Sequence, residues 1–279
     1  MPEPVPTDPL LTEPAGTDPV LTDTDGTVTV IRINRPQVHN ALNAEVLAGL
    51  RTAVETAAAD PAARVVVLTG TGEKAFSAGA DLKEVAGLSP DRAHEAMRHG
   101  QRMMRAIERA EIPVIAAVNG VALGGGFELV LASTFPILSR NASLGLPESG
   151  LGLIPGYGGT QRLPRAIGTA AAAHLMLTGS RLDADRAHRL GLTPVPPVAP
   201  EDLLKTALTV ARQIAQQGPY AVRSILRALE TARDATLDAG LAAETGLASL
   251  ALVGAESAEG IGAFLERRPT HFENPGGER

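Results

Sequence analysis

One stretch constrains this chain more than any other: an apolar strand pattern that runs into three consecutive glycines and then into a helix. Ile112-Pro113-Val114-Ile115-Ala116-Ala117-Val118 has the unbroken apolar character of a buried strand. The chain then turns through Asn119-Gly120, crosses Gly124-Gly125-Gly126 and enters Phe127-Glu128-Leu129-Val130-Leu131-Ala132, which has the apolar density of a helix packed on a sheet. Glycines leave the backbone N–H groups uncovered by side chains. At a helix start, unpaired donors and the helix dipole already favour negative charge. Glu128 stands two residues after the last glycine, and Glu148 follows in Leu146-Pro147-Glu148. Amide donors with two carboxylates predict acid–base chemistry on a carbonyl compound whose oxygen gains charge. Each glutamate also has a plain reading, Glu128 as a dipole partner and Glu148 as a surface turn after proline.

Upstream, Val28-Thr29-Val30-Ile31-Arg32-Ile33 is a β-branched strand ended by Asn34-Arg35-Pro36. Apolar residues then recur at helical spacing from Val46 to Ala57, with Asn43 as N-cap and Asp60-Pro61 as the stop. Residues 64–69 are the next strand. Gly70-Thr71-Gly72 after it mimics a dinucleotide fingerprint. The residues beyond, Phe76-Ser77-Ala78-Gly79-Ala80, do not open an amphipathic helix, so a turn is expected instead. Residues 91–110 read as a helix with Arg98, Arg102, Arg105 and Arg109 on one face. That stripe could meet phosphates or nucleic acid; a solvated or inter-subunit face is the preferred reading, since it lacks interleaved aromatics. Helices are expected at 169–177 and 181–191, the latter ending on Gly191. Prolines at 194, 196, 197 and 200 make a stiff connection, after which 202–214, 219–234, 237–253 and 258–267 read as helices without strands. A strand-rich α/β core over 25–200 thus precedes a helical appendage over 201–279, too small to bury its own apolar faces.

Charge sharpens this division. Residues 1–25 hold six acidic side chains and no basic one, whereas the rest of the chain carries 25 of each sign. This start repeats Thr-Asp-Pro and its variants with a period of five, which matches neither helix nor strand, so residues 1–24 are expected to be a disordered acidic tail. The balanced remainder and its three lysines, Lys74, Lys83 and Lys205, argue against a nucleic-acid partner. The chain has no cysteine, which removes disulfides and thiolate catalysis and fits the cytoplasm. No run approaches a membrane span, and the six histidines show no ligand spacing, so neither a membrane nor a metal is expected.

Several of these segments together resemble the enoyl-CoA hydratase (crotonase) family. They are Asn34-Arg35-Pro36 with Asn40-Ala41-Leu42-Asn43, Ala75-Phe76-Ser77-Ala78-Gly79-Ala80-Asp81-Leu82, the run from Asn119 to Glu128, Leu146-Pro147-Glu148, and Ile154-Pro155-Gly156-Tyr157-Gly158-Gly159-Thr160-Gln161-Arg162-Leu163. The resemblance implies a crotonase-like superhelix of repeated ββα units with a C-terminal all-helical trimerisation region, assembled as a trimer or a dimer of trimers. It implies addition of water to a 2-enoyl-CoA thioester, coenzyme A being part of the substrate and no separate cofactor being needed. The residue matching Glu128 activates water and that matching Glu148 protonates C2. The N–H groups of Ala80 and Gly125 form the oxyanion hole. Asp81, Leu82 and Lys83 line the coenzyme A channel, the Gly156 backbone helps to line the site, and Phe264 and Arg267 lie in a segment that closes over coenzyme A, sometimes from a neighbouring subunit. Tyr157 stands where hydratases often have a small residue, to narrow the acyl pocket or offer a hydroxyl, filling space being the preferred role. A double-bond isomerase of the same fold, needing one carboxylate, is the alternative; an RNA-binding protein on this scaffold is a distant third. The chain departs from the family at Ser133-Thr134-Phe135-Pro136, where a proline suggests a sheet edge or a bulge.

Overall fold

The β-branched and alanine-rich runs pair into two sheets. The structure is a computed structural model describing residues 8–12 and 16–272. Its strands are β1 (Val20–Asp25), β2 (Val28–Ile33), β3 (Val65–Gly70), β4 (Ala75–Ser77), β5 (Val114–Val118), β6 (Val121–Leu123), β7 (Phe135–Leu138), β8 (Ser143–Gly145) and β9 (Leu182–Asp183). The larger sheet has the order β1-β2-β3-β5-β7 and the smaller one β4-β6-β8-β9. Strands β2, β3, β5 and β7 are parallel, while β1 joins β2 antiparallel. Strands β2, β3 and β5 are buried along their whole length, as parallel strands covered on both faces must be. Pro136 is accommodated because β7 is an edge strand of its sheet.

The helices are α1 (Ala44–Ala59), α2 (Leu82–Val85), α3 (Pro90–Glu108), α4 (Gly125–Ala132), α5 (Gly159–Ile167), α6 (Thr169–Thr178), α7 (Ala184–Arg189), α8 (Leu203–Ala215), α9 (Pro219–Asp234), α10 (Leu237–Leu252) and α11 (Ala255–Glu266). Asn43 caps α1 by accepting from the Val46 N–H at 3.0 Å, and Asp60 ends it. The chain passes three times from the large sheet to the small one and on into helix: β3 to β4, β5 to β6, β7 to β8. These are the expected ββα repeats. One face of the large sheet packs Ile31, Leu68 and Val118 against α1, α3 and α4 residues such as Leu50, Met104 and Phe127. The other face packs Val30, Val67 and Ile115 against Leu208 and Ala211 of α8.

Two expectations are corrected. The tail reading of 1–24 fails at 20–24, which lie in β1, and at Leu10, which is 1% exposed in the core under α8. Acid here is pairing, not only solvation: Asp23 bonds buried Arg32 at 2.6 Å, and Asp8 and Asp25 both reach Arg212 of α8. Residues 1–7 and 13–15 lie outside the described residues. The second correction concerns 181–191. It begins as β9, whose Leu182 pairs with Leu144 of β8, before α7 starts at Ala184.

Candidate active site

Helix α4 begins where both sheets meet. Gly124 precedes it with φ +49°, a conformation that disfavours any side chain, and its N–H donates to the Gly145 carbonyl of β8 at 2.9 Å. A Cβ on Gly126 would collide with the Ser77 carbonyl of β4, so only glycine lets α4 start this close to the small sheet. The segment after β4 is zipped to Leu42: Leu42 N–H donates to the Gly79 carbonyl at 2.8 Å, and Asp81 N–H to the Leu42 carbonyl at 2.9 Å. This parallel bridge turns the N–H of Ala80 away from Leu42, leaving it without an acceptor among the described residues. Gly125 opens α4, where no helical carbonyl can reach its N–H. A Cβ on Gly79 would stand 3.2 Å from the Gly125 nitrogen, so the two predicted oxyanion donors come from adjoining turns.

Both glutamates arrive at this spot. Glu128, in the first turn of α4, is 2% exposed. Its Oε1 accepts from the Tyr157 N–H at 2.8 Å and the Gly159 N–H at 2.7 Å. Glu148 opens a 3₁₀ turn after β8, and a Cβ on Gly124 would lie 3.0 Å from its Oε1. Its Oε2 is buried with no hydrogen-bond partner among the described residues. Burial pushes the Glu128 carboxyl up to about 7, with the charge of Glu148 adding to the rise; the two amides and Arg162 hold it back. Burial also raises Glu148. With the proton affinity of both carboxyls raised, the pair is suited to accept a proton on one side and donate on the other.

Tyr157 fills space beside this centre. Its ring is buried against Gly100 of α3, where any Cβ would overlap it, and close to Gly125. Burial, then the charges of Glu128 and Glu84, push the phenol up to about 12, so it stays a neutral donor. With Leu42, Leu47, Val85, Leu88 and His99 it lines a cavity of about 260 Å³. Gly156 packs on Met97, and its carbonyl accepts from Gln101 Nε2 at 2.9 Å. Asp81, which lines the same cavity, caps α2 and pairs with Arg35 at 3.3 Å, and the residues after it, Leu82 and Lys83, are exposed.

Phe264 and Arg267 are not brought to this centre within the chain. Phe264 is 82% exposed on α11, whose Glu256 and Glu259 bond to Tyr220 and to His271. The arginine stripe is also only partly free: Arg105 pairs with Glu108 and Arg109 with Glu230, so its C-terminal half faces α9 of the same chain. Reading the sequence missed the two amides that seat Glu128, because backbone donors leave no mark in side-chain pattern. It also missed Glu108 and Arg162, whose one signal is an arginine following the Tyr157-Gly158-Gly159 loop.

Comparison with known proteins identifies the family. Residues 23–275 match the family described as enoyl-CoA hydratase/isomerase. A crotonyl-CoA hydratase of Syntrophomonas wolfei is 42% identical over 245 residues, covering 88% of this chain and 94% of that protein. A short-chain-enoyl-CoA hydratase of Clostridium acetobutylicum is 38% identical, covering 86% of this chain and 92% of that one. The crystal structure of an enoyl-CoA hydratase from Bacillus anthracis superposes with a TM-score of 0.88 at 39% identity, over 92% of this chain and 99% of that one.

Proposed function

The chain belongs to the enoyl-CoA hydratase/isomerase family, and on that premise we propose that it is a hydratase, adding water reversibly and syn across the 2,3 double bond of a 2-enoyl-CoA thioester. The observation that carries this reading is the approach of two carboxylates to one helix start, Glu128 buried in its first turn and the half-buried Glu148 beside Gly124, each with raised proton affinity. The thioester oxygen accepts from the Ala80 and Gly125 N–H groups, and negative charge gathers there as the enolate forms. Each such donor is worth about 3–4 kcal/mol of barrier. Glu128, its Oε1 anchored by two amides, takes a proton from water as the oxygen attacks C3. Glu148, whose Oε2 has no other partner, gives a proton to C2. The product is a 3-hydroxyacyl-CoA, and the pair returns to its starting state when the proton passes back from Glu128 to Glu148.

Tyr157 takes up volume next to the thioester position, which favours short acyl chains in the cavity beyond it. Leu82 and Lys83, exposed next to the cavity-lining Asp81, fit the coenzyme A channel. In an assembly of copies, Phe264 and Arg267 would serve a neighbour's site rather than their own. Isomerisation needs only one carboxylate, so burial of the second speaks for hydration.

The test is a panel of 2-enoyl-CoA thioesters of increasing length, followed by loss of conjugated absorbance, with Glu128→Gln and Glu148→Gln alongside. Each substitution is expected to lower kcat by about 10²–10⁴, with the double variant little worse than the poorer single one. If Glu128→Gln leaves isomerisation of 3-enoyl-CoA intact and wild-type enzyme does not hydrate, the isomerase reading replaces this one.

A further inference from the structure

The seat of Glu128 is itself held in place. The loop that supplies its two N–H donors contains Gly158 at φ +116°, where the backbone is free to take other paths. Arg162 fastens it, donating from Nη1 to the Tyr157 carbonyl at 3.0 Å. The rest of the guanidinium forks onto Glu108 of α3, Nε to Oε1 at 3.1 Å and Nη2 to Oε2 at 2.9 Å. Glu108 cannot move freely either. Its side chain is 6% exposed and also takes Arg105 at 2.8 Å and Arg233 of α9 at 2.7 Å. Burial would raise its proton affinity, but the bonds from Arg162 and its neighbours bring its carboxyl down to about 2, so it remains a fixed anion at any working pH. Contacts thus run from α9 through Glu108 and Arg162 to the Tyr157 carbonyl, and the N–H on the other side of the same Cα donates to Glu128 Oε1. A planar fork suits this role because it fixes orientation as well as charge.

We propose that Arg162, anchored by Glu108, is a positioning residue for Glu128: it holds the Tyr157–Gly159 backbone so that its amides meet the carboxylate. This rests on the reading of Glu128 as the group that takes the proton from water. Arg162 does not touch substrate. Its charge favours the ionised form of Glu128, and its bond to the Tyr157 carbonyl fixes where that form sits.

The experiment compares Arg162→Lys, which keeps the charge and loses the fork, with Arg162→Met, which loses both. Hydration of crotonyl-CoA is measured against pH, with melting temperature as the check on folding. Arg162→Met is expected to lower kcat by about 10–100-fold, the cost of a misplaced catalytic group, with KM little changed. Its acidic pH limb should move upward, because removing a cation makes Glu128 harder to ionise. Arg162→Lys should keep the limb near its wild-type position while still losing kcat. Arg162 lines an open cleft of about 870 Å³ with Glu108 and Gln101, so ethylguanidinium added to an Arg162→Ala variant should restore part of the rate. A folded Arg162→Met enzyme with wild-type kcat and an unmoved limb, beside an inactive Glu128→Gln, would overturn this proposal alone. A Glu128→Gln enzyme that hydrates at wild-type rate would instead overturn the reading on which it rests.

Discussion

Glu128 sits in a place that resists its charge, and the resistance has a measurable cost. An unfolded glutamate ionises near 4.5, whereas in the folded chain burial holds this carboxyl up to about 7. Between those values the folded protein binds more protons than the unfolded one, so stability falls as pH rises through the window. The shift corresponds to roughly 3 kcal/mol. Glu128→Gln removes the titration while keeping the shape. The variant's unfolding free energy minus that of wild type should therefore grow by about 3 kcal/mol between pH 4.5 and pH 8. Denaturant melts at four pH values check this; a flat difference would show that burial is not what raises the carboxyl. Both glutamates were legible as candidates because a triple glycine before a helix and a Leu-Pro-Glu turn are visible in the residues. Their convergence was not, because it depends on β8 pairing with β6, and three-residue strands such as Ser143–Gly145 carry no periodic signal.

At the scale of elements, the N-terminal segment shows where composition misleads. A proline-punctuated acidic repeat has the profile of a solvated tail, yet β1 pairs with β2 over six residues. An edge strand with one buried side chain gives almost no alternation to read. The signal that was present is Asp25-Gly26, a hairpin dipeptide, and Gly26 indeed takes φ +58° between β1 and β2. The long strands and helices were legible for the opposite reason, since sustained apolar runs and caps such as Asn43 state their own structure. Deleting residues 1–24 should therefore harm the fold: it uncovers the edge of β2, removes Leu10 from under α8 and takes Asp23 from the buried Arg32. Leu10→Ala alone is expected to cost about 2–5 kcal/mol as a buried leucine truncation, read as a lower melting temperature. A deletion variant that melts with wild type would show that this segment rests on the core without supporting it.

The whole molecule is unfinished at its C-terminal end. Helices α9 and α10 have no buried residue, and Leu237, Val253, Phe264 and Leu265 are each more than 70% exposed. Apolar area on this scale, in helices that pack mainly on one another, marks a surface that something else covers. No single helix among the described residues is long and apolar enough to cross a membrane, and α10 and α11, apolar enough as a pair, are bent apart by 67°. We therefore predict that copies of the chain cover one another here, as a trimer or a dimer of trimers. A closed symmetric assembly would bury the same patch on every subunit, which an open chain of contacts does not. Light scattering at micromolar concentration should give a mass that is a multiple of three chains. Val253→Glu with Leu265→Glu places like charges in that contact, where they are desolvated without a partner, and should shift the species toward smaller masses. The active centre built on α4 and β8 lies in the α/β core, so a dissociated variant should keep its α/β far-ultraviolet signature even if its rate falls. Cosedimentation with phospholipid vesicles separates the other way of covering the same face. A wild-type chain that stays a stable, active monomer and ignores vesicles would mean that exposed leucines here need no cover, and the assembly would have to be abandoned.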